Sequence, residues 1–300
     1  MAHKSKIIRS TRSDQLFNFF VYAVVGILTF IVLYPLIYIL SSSFSSPQAV
    51  STGKVFLWPV DFSLQGYTQV FSDNEVWISY RNTIFYTIFG TCINVFTTLI
   101  CAYPLSRKDL PHKLFFTTLF TFTMMFSGGL IPTYLIIRDL HMLNSIWAMV
   151  IPGAMSAYQM IVTRTFFQST LPQELIEATQ VDGCDDFRFF AKFVLPLSKA
   201  IIAVIAMQYA IGHWNSYFNA FIYLSNENYY PLQIYLRKIL LLSQIAASET
   251  MDADMAAAIQ GLSDLLKYSL IVVATVPILC VYPFIQKYFI QGVMIGSLKG

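Results

Sequence analysis

Six long apolar runs restrict what this chain can fold into more than any other feature of its sequence. A helix crosses a hydrocarbon layer about 30 Å thick with roughly 20 mostly apolar residues, and each run is close to or above that length. Hydrophobic residues make up 56% of the chain and charged residues only 12%. We therefore predict an all-α membrane protein with six transmembrane helices. The runs cover approximately residues 16–41, 83–105, 114–137, 146–163, 201–224 and 268–286.

The distribution of basic residues predicts how these helices are oriented. If the N-terminus is cytoplasmic, 13 of the 19 lysine and arginine residues lie in segments on the cytoplasmic side, which is the usual bias of membrane proteins. The net charge of +3 then reflects topology and requires no nucleic-acid partner. We expect both termini in the cytoplasm, with a basic tail over residues 1–15, a six-span domain over residues 16–290 and a second tail over residues 291–300.

A polar segment with five carboxylates separates the fourth run from the fifth and is expected on the cytoplasmic side. Thr170 is expected to be the N-cap of a short helix, with Gln173 completing a capping box. Gly183 is suited to end this helix in a left-handed turn. Asp185 or Asp186 is expected to cap a second short helix. The segment is therefore predicted to form two short helices joined at a glycine, outside the bilayer.

Spacing within this segment carries a resemblance to a known family. The pair Glu177-Ala178 is followed by Gly183 six residues after the glutamate, and the second helix is expected to end at Leu195-Pro196. This pattern resembles the EAA loop of bacterial ABC importer permeases. Mild departures occur at Thr179, where the family prefers a small residue, and at Phe193, where it prefers isoleucine.

The resemblance implies the fold of a type I ABC importer permease, with a cytoplasmic coupling-helix hairpin over about residues 165–196. In that family the hairpin docks into a cleft of a separate ATPase and passes its movement to the spans. The residues that would form the coupling element here are Glu174, Glu177, Ala178, Asp182, Gly183, Leu195 and Pro196.

Further segments are similar to the maltose-type carbohydrate permeases, in particular to those that import oligosaccharides in Gram-positive bacteria. The resemblance implies a multi-pass subunit of the bacterial plasma membrane and a carbohydrate cargo, expected to be an oligosaccharide. Its implied partners are a second six-span permease, two ATPase subunits and an extracellular solute-binding protein. The similar segments are residues 126–134, 212–215, 230–233 and 286–289.

No phosphate-binding loop of the form Gly-x-x-x-x-Gly-Lys-Ser/Thr occurs in the sequence. The Gly53-Lys54 pair is the nearest candidate, but Gln48 and Val55 occupy the other required positions. We therefore expect this chain to be a transport subunit rather than an enzyme. It is expected to bind no cofactor itself, with ATP and Mg²⁺ held by the partner ATPase subunits.

The alternatives from other classes are an ion-coupled secondary transporter or channel subunit, and a membrane-embedded hydrolase. Ion-coupled transporters usually carry ionisable residues within their spans. The six runs contain no Asp, Glu, Lys or Arg, and a hydrolase would need convergent catalytic groups that the sequence does not present. The notable polar residues of the runs are His213, Asn94, Gln208, Asn215 and Asn219.

The fifth run and two long outer segments are the candidate sites for cargo and partner. A sugar pathway requires aromatic faces for C–H surfaces and amides for hydroxyl groups. The alternative interpretation of these residues is packing against the partner permease. Of the outer segments, 42–81 and 225–264, the second matches the loop that reaches the binding protein in the maltose-type family. The candidate pathway residues are His213, Trp214, Asn215, Tyr217 and Asn219.

Overall fold

A computed structural model describes the backbone of residues 11–246 and 253–297. Side chains are described for residues 11–241 and 261–283. Every regular element in these ranges is helical, in agreement with the predicted all-α class. Residues 1–10 and 298–300 of the predicted tails, and residues 247–252 of the predicted outer segment, lie outside the described residues.

The helices follow one another along the chain with short connections. They are α1 (Arg12–Ser43), α2 (Pro47–Ser51), α3 (Gln65–Ser72), α4 (Asn74–Ser106), α5 (Lys113–Met125), α6 (Leu130–Asp139), α7 (Trp147–Val150), α8 (Ala157–Thr170), α9 (Gln173–Val181), α10 (Asp186–Phe189), a π-helical turn (Phe190–Val194), α11 (Leu195–Leu197), α12 (Lys199–Trp214), α13 (Phe218–Tyr223), a 3₁₀ turn (Glu227–Tyr229), α14 (Leu232–Ala246) and α15 (Ala253–Ser297).

Three helices in the described part of the chain are long and apolar enough to cross a membrane without a break. α1 corresponds to the first predicted run, α4 to the second, and the Gly261–Pro283 part of α15 to the sixth. Many of their large apolar side chains are exposed. This exposure suits surfaces that face lipid tails, which are as apolar as the side chains themselves.

Other predicted runs are bent rather than straight. α5 and α6 together match the third run, but they meet at an angle of 113° near Gly129, whose φ is +85°. The helical stretch Asp186–Leu197 meets α12 at 80°, close to the start of the fifth run. Counting each bent pair as one span gives up to five crossing segments among the described residues, against the six predicted.

The fourth predicted run, residues 146–163, is divided between two helices. α7 ends at Val150 and α8 begins at Ala157. Pro152 and Gly153 lie in the gap. Proline lacks the N–H that a continuing helix needs, and glycine favours non-helical backbone, so the pair interrupts the helix although the run is apolar.

The chain divides into two compact units, of which the first comprises residues 1–70 and 239–273. Its described core joins Ala49 and Val50 of α2 to Tyr38 of α1 and Tyr268 of α15. The rings of Tyr38 and Tyr268 meet edge to face with their centres 5.7 Å apart. The C-terminal end of α1 is thus packed against α2 and α15, whereas most of α1 is not buried within the described residues.

The second unit comprises residues 71–238 and 274–300, and α4 is its central helix. α4 packs against α8 and α12. The largest cluster of buried side chains joins Tyr103 of α4, Phe167 of α8 and Ile205 of α12. The same cluster includes Ile176 and Phe189 from the segment after α8, so the predicted cytoplasmic hairpin is built onto the ends of these helices.

Candidate functional site

The first helix of the predicted hairpin begins later than the sequence suggested. Thr170 is the last residue of α8, and Pro172 is the N-cap of α9 without a side-chain capping hydrogen bond. The predicted cap at Thr170 and its capping box with Gln173 are therefore wrong. The backbone of Leu171 is extended, as expected for a residue that precedes proline, and this separates α9 from α8.

Gly183 ends α9 in a left-handed turn, as predicted, with φ at +75°. Its N–H donates to the carbonyl of Gln180 over 3.0 Å, and the N–H of Cys184 donates to the carbonyl of Thr179 over 2.9 Å. These two bonds form a Schellman motif that satisfies the last carbonyls of the helix. Asp182 is the C-cap of α9 and therefore lies directly before the turn.

The second helix starts at the first of the two aspartates proposed for its cap. The Asp185 carboxylate accepts a hydrogen bond from the Arg188 N–H over 2.7 Å. α10 then continues through the π-helical turn Phe190–Val194 into α11, which ends at Leu197, one residue beyond Pro196. The sequence analysis did not predict the π-helical turn.

The two faces of this hairpin, defined as residues 171–197, differ in their surroundings. Ile176, Phe189 and Val194 are buried in the core cluster around α4, α8 and α12. On the opposite face, Val181 and Phe187 are 88% and 87% exposed. Exposed apolar side chains of this size, beside carboxylates, are typical of a surface that contacts another protein. Of the predicted coupling residues, Leu195 is half-buried and the others are exposed, namely Glu174, Glu177, Ala178, Asp182, Gly183 and Pro196.

Arg107, the C-cap of α4, connects that helix to the hairpin. Its Nε and Nη2 donate to the two carboxylate oxygens of Asp109 over 2.9 and 2.8 Å, and its Nη1 lies 3.5 Å from Asp186 of α10. The hydrogen bond from Arg107 lowers the pKa of the Asp109 carboxyl. The Arg107 side chain is only 10% exposed and lines a cavity of about 410 Å³ whose walls include Tyr103 and Phe190. The C-terminal end of α4 is thus ion-paired with the hairpin.

Two of the five predicted pathway residues are engaged in packing between helices. The Nε2 of His213 lies 2.8 Å from the Oδ1 of Asn94, which joins α12 to α4. The indole N–H of Trp214 donates to the carbonyl of Ala274 over 3.1 Å, which joins α12 to α15. Both contacts lie within the chain itself, so they differ from the packing against a partner permease that the sequence offered as the alternative to sugar contact.

The other three predicted pathway residues lie at the break between α12 and α13. Asn215 is the C-cap of α12 and donates from its side chain to the Ile211 carbonyl over 3.0 Å. Asn215, Tyr217 and Asn219 are all exposed. These three side chains are therefore open to solvent, whereas His213 and Trp214 are held by the neighbouring helices.

A polar network that the sequence analysis did not predict surrounds the interruption between α7 and α8. The Asn94 amide nitrogen donates to the Gly153 carbonyl, and the Thr97 hydroxyl donates to the Ala154 carbonyl. Both carbonyls lie in the gap where the helix is interrupted, so α4 side chains replace the missing backbone partners. An amide in an apolar run was visible in the sequence at Asn94, but its partner was not.

The N-terminal part of α4 holds the start of segment 225–264, which is predicted to lie outside the membrane. The buried Asn82 amide donates to the carbonyls of Asn228 and Tyr230 over 2.7 and 3.1 Å. The hydroxyl of Thr83 accepts from the Leu232 N–H over 2.8 Å. One helix face thereby determines where α14 begins.

Ion pairs and a hydroxyl add to this attachment. Lys238 of α14 lies 2.9 Å from Glu75 and 3.4 Å from Glu227, and the hydrogen bond to Glu75 raises the pKa of Lys238. The Tyr235 hydroxyl donates to Asp73, the N-cap of α4. We call the surface formed by residues 73–83 and 226–238 the outer platform, after the side of the membrane on which the sequence predicts it.

Comparisons with known proteins place the chain among transport permeases. It is 38% identical over 96% of its length to a polygalacturonan/rhamnogalacturonan transport system permease protein of Bacillus subtilis, and the match covers 99% of that protein. It is 23% identical over 91% of its length to an arabinooligosaccharides transport system permease protein of Halalkalibacterium halodurans, covering 93% of it. No protein-family model matches the chain.

The fold also matches a solved structure. A chain from the crystal structure of a bacterial ABC transporter involved in the import of the acidic polysaccharide alginate superposes with a TM-score of 0.85 and 35% sequence identity. The match covers 94% of this chain and 99% of that one. The likeness therefore extends over nearly the whole architecture rather than over the hairpin alone.

Proposed function

Because the chain belongs to the permease family of bacterial carbohydrate ABC importers, we propose that it forms half of a translocation pathway for an oligosaccharide and is driven by a separate ATPase through the hairpin. Membership of this family makes the chain a multi-pass protein of the bacterial plasma membrane. The cargo named for relatives includes polygalacturonan, arabinooligosaccharides and alginate, so oligosaccharides of these kinds are the first cargo to test.

The attachment of the hairpin to three helices is the observation that supports this role most directly. Its inner face is buried against α4, α8 and α12, and Arg107 pairs with Asp186. A hairpin held in this way transmits a push on its exposed face to the helices, because buried side chains do not yield independently. The small Ala178 and the acidic Glu177 on the exposed face suit close approach to a partner that carries basic groups.

We propose that the bent and divided helices complete a six-span topology with both termini in the cytoplasm. α5 with α6 would form the third span, α7 with α8 the fourth, and α12 with α13 the fifth. The polar network at Gly153 supports the fourth, because it pairs carbonyls that an apolar environment would otherwise leave unsatisfied.

We propose that the remaining parts of the importer are separate chains. ATP and Mg²⁺ would be bound by two ATPase subunits, since the sequence lacks a phosphate-binding loop. A second permease would complete the pathway, and an extracellular solute-binding protein would dock on the outer platform and the segment that follows it. Asn215, Tyr217 and Asn219 would face the cargo, whereas His213 and Trp214 would hold the helices together.

Charge reversal at the hairpin tests this function. We expect Glu177→Arg to abolish ATP-dependent oligosaccharide uptake and co-purification of the ATPase, with normal insertion in the membrane. Asp139→Arg makes the same change at an exposed residue on the predicted outer side and should leave both properties unchanged. Normal uptake by Glu177→Arg at normal expression would show that the hairpin is not the coupling element.

An ion-coupled secondary transporter makes the opposite prediction about energy. Uptake into vesicles that contain this chain alone, driven by an ion gradient without ATP or ATPase subunits, would contradict the proposal. The described residues offer no ion pair inside a predicted span to support that mechanism.

A further inference from the structure

No carboxylate lies within ion-pair distance of Arg237 of α14 among the described residues. On the predicted outer side, Arg138 lies 2.9 Å from Asp139 and Lys238 lies 2.9 Å from Glu75. The guanidinium of Arg237 instead lies over two aromatic rings of the adjoining segment. Its charge therefore has no carboxylate partner in the part of the chain that the structure describes, although the next residue along the chain is ion-paired.

The geometry of Arg237 leaves its hydrogen-bonding edge available. The guanidinium carbon is 4.2 Å from the ring centre of Phe221 and 5.4 Å from that of Tyr217. Contact with a ring face fixes the plane of a guanidinium but uses none of its five N–H donors. In the described part of the chain these donors have no hydrogen-bond acceptor, and the two glutamates near α14 are held by Lys238.

The surroundings of Arg237 have the composition of a sugar-binding surface. Tyr217 is 41% exposed and Phe221 56% exposed, and Asn219 lies between them in the sequence with its amide exposed. Exposed ring faces bind the C–H surfaces of pyranose rings, and amides bind hydroxyl groups. A planar guanidinium adds bidentate recognition of a carboxylate, which neutral sugars lack.

We propose that Arg237, with Tyr217 and Phe221, forms a recognition site for a carboxylated sugar, so that the importer carries acidic, uronate-containing oligosaccharides. This inference rests on the proposed function and names the cargo class for the break between α12 and α13. Arg237 binds the uronate carboxylate through its free N–H edge, while the two rings hold the guanidinium plane.

Matched substrates separate charge recognition from transport itself. Uptake is measured with labelled trigalacturonate and trimannuronate, each beside its methyl ester, in a strain that depends on this subunit. The ester keeps the size and hydroxyl groups of the acid but removes its charge. We expect the wild type to prefer an acid over its ester. In Arg237→Gln this preference should fall by roughly tenfold or more, the size of a charge-assisted hydrogen bond, with uptake of the ester unchanged.

Two further variants provide the controls. Arg237→Lys keeps the positive charge but loses the paired N–H donors of the guanidinium. We expect it to retain part of the preference for acid over ester. Arg138→Gln removes an arginine that is already paired with Asp139, and we expect it to retain the full preference. Because unchanged ester uptake reports a folded importer, a selective loss of acid uptake cannot come from misfolding.

Three outcomes would overturn the inference. Equal loss of acid and ester uptake in both Arg237 variants would show that the residue only attaches α14 to α13. A wild type that takes up esters or neutral arabinotriose as well as the acids would refute acidic cargo while leaving the proposed function intact. If none of these oligosaccharides is taken up in an ATP-dependent manner, the proposed function is contradicted as well.

Discussion

His213 and Asn94 join α12 to α4 through a hydrogen bond of 2.8 Å between the imidazole Nε2 and the amide Oδ1. The Asn94 nitrogen donates to the Gly153 carbonyl, so its oxygen faces the imidazole and the ring proton is assigned to Nε2. One amide thereby connects α4, α12 and the gap between α7 and α8. Side-chain hydrogen bonds between helices in a membrane contribute about 0.6–2 kcal/mol, enough to define how these three segments pack.

A substitution at Gly90 tests this junction, because Gly90 lies beneath the imidazole of His213. A Cβ added at Gly90 would overlap the ring, with Cε1 2.5 Å away. We expect Gly90→Ala to destabilise the protein by about 1–3 kcal/mol, since a ring held by Asn94 cannot move aside freely. Thermal unfolding in detergent measures the loss. Gly26→Ala in α1 is the matched control, because a Cβ there meets nothing within 4 Å.

The double variant Gly90→Ala with His213→Ala separates steric overlap from other effects. Removing the ring should relieve the overlap, so the double variant should be no less stable than His213→Ala alone. Additive destabilisation by the two changes would show that Gly90 is required for a different reason.

A second prediction concerns Gly183, whose backbone φ of +75° would be strained for residues other than glycine. We expect Gly183→Val to cost roughly 1–3 kcal/mol locally and to alter the turn between α9 and α10. Gly183→Asn should be tolerated, since asparagine adopts left-handed backbone more readily. Uptake and ATPase co-purification should fall for valine and persist for asparagine. Equal behaviour of the two variants would rule out backbone conformation as the reason for glycine.

Local chemistry explains which parts of this structure the sequence could predict. The left-handed turn at Gly183 and the cap at Asp185 follow from residues within one helical turn, and both are present. α1 and α4 follow from uninterrupted apolar runs. The prediction for Thr170 was wrong because a threonine at this position can either cap the next helix or end the preceding one. The residue type does not distinguish these two roles, and Thr170 is the last residue of α8.

Contacts between distant residues explain what could not be predicted. The run 146–163 is apolar throughout, so hydropathy cannot reveal that carbonyls within it are bound by Asn94 and Thr97. His213 has the chemistry of a ligand-binding residue, but its partner lies 119 positions earlier in the chain. The Arg107 contact with Asp186 likewise depends on how α4 meets the hairpin.

Asn82 is predicted to hold the outer platform together. Its amide donates to two backbone carbonyls, so Asn82→Ala removes two partly buried hydrogen bonds at a cost of about 0.5–1.5 kcal/mol each. Faster hydrogen exchange over residues 226–232 should report the loosened segment, with weaker binding of the solute-binding protein. Thr91→Val in the same helix is the control, because the Thr91 hydroxyl has no hydrogen-bond partner among the described residues. Unchanged exchange in Asn82→Ala would contradict this role.

The stability of the protein is expected to depend on pH through Asp109, because the hydrogen bond from Arg107 holds the pKa of its carboxyl below the ordinary value of 3.8. A carboxyl whose pKa is lower in the folded state stabilises the protein at pH values above 3.8, and this contribution is lost as the pH falls through the folded-state pKa. We expect Asp109→Asn to lower the midpoint of thermal unfolding at pH 7, modestly because the carboxylate is 66% exposed and screened by solvent. Unfolding is measured for both proteins from pH 8 down to below 3.8. The difference should stay constant from pH 8 to about 5 and shrink as the pH falls further, through 3.8 and the lower folded-state pKa. A difference that grows in acid would show that Arg107 does not stabilise the ionised form.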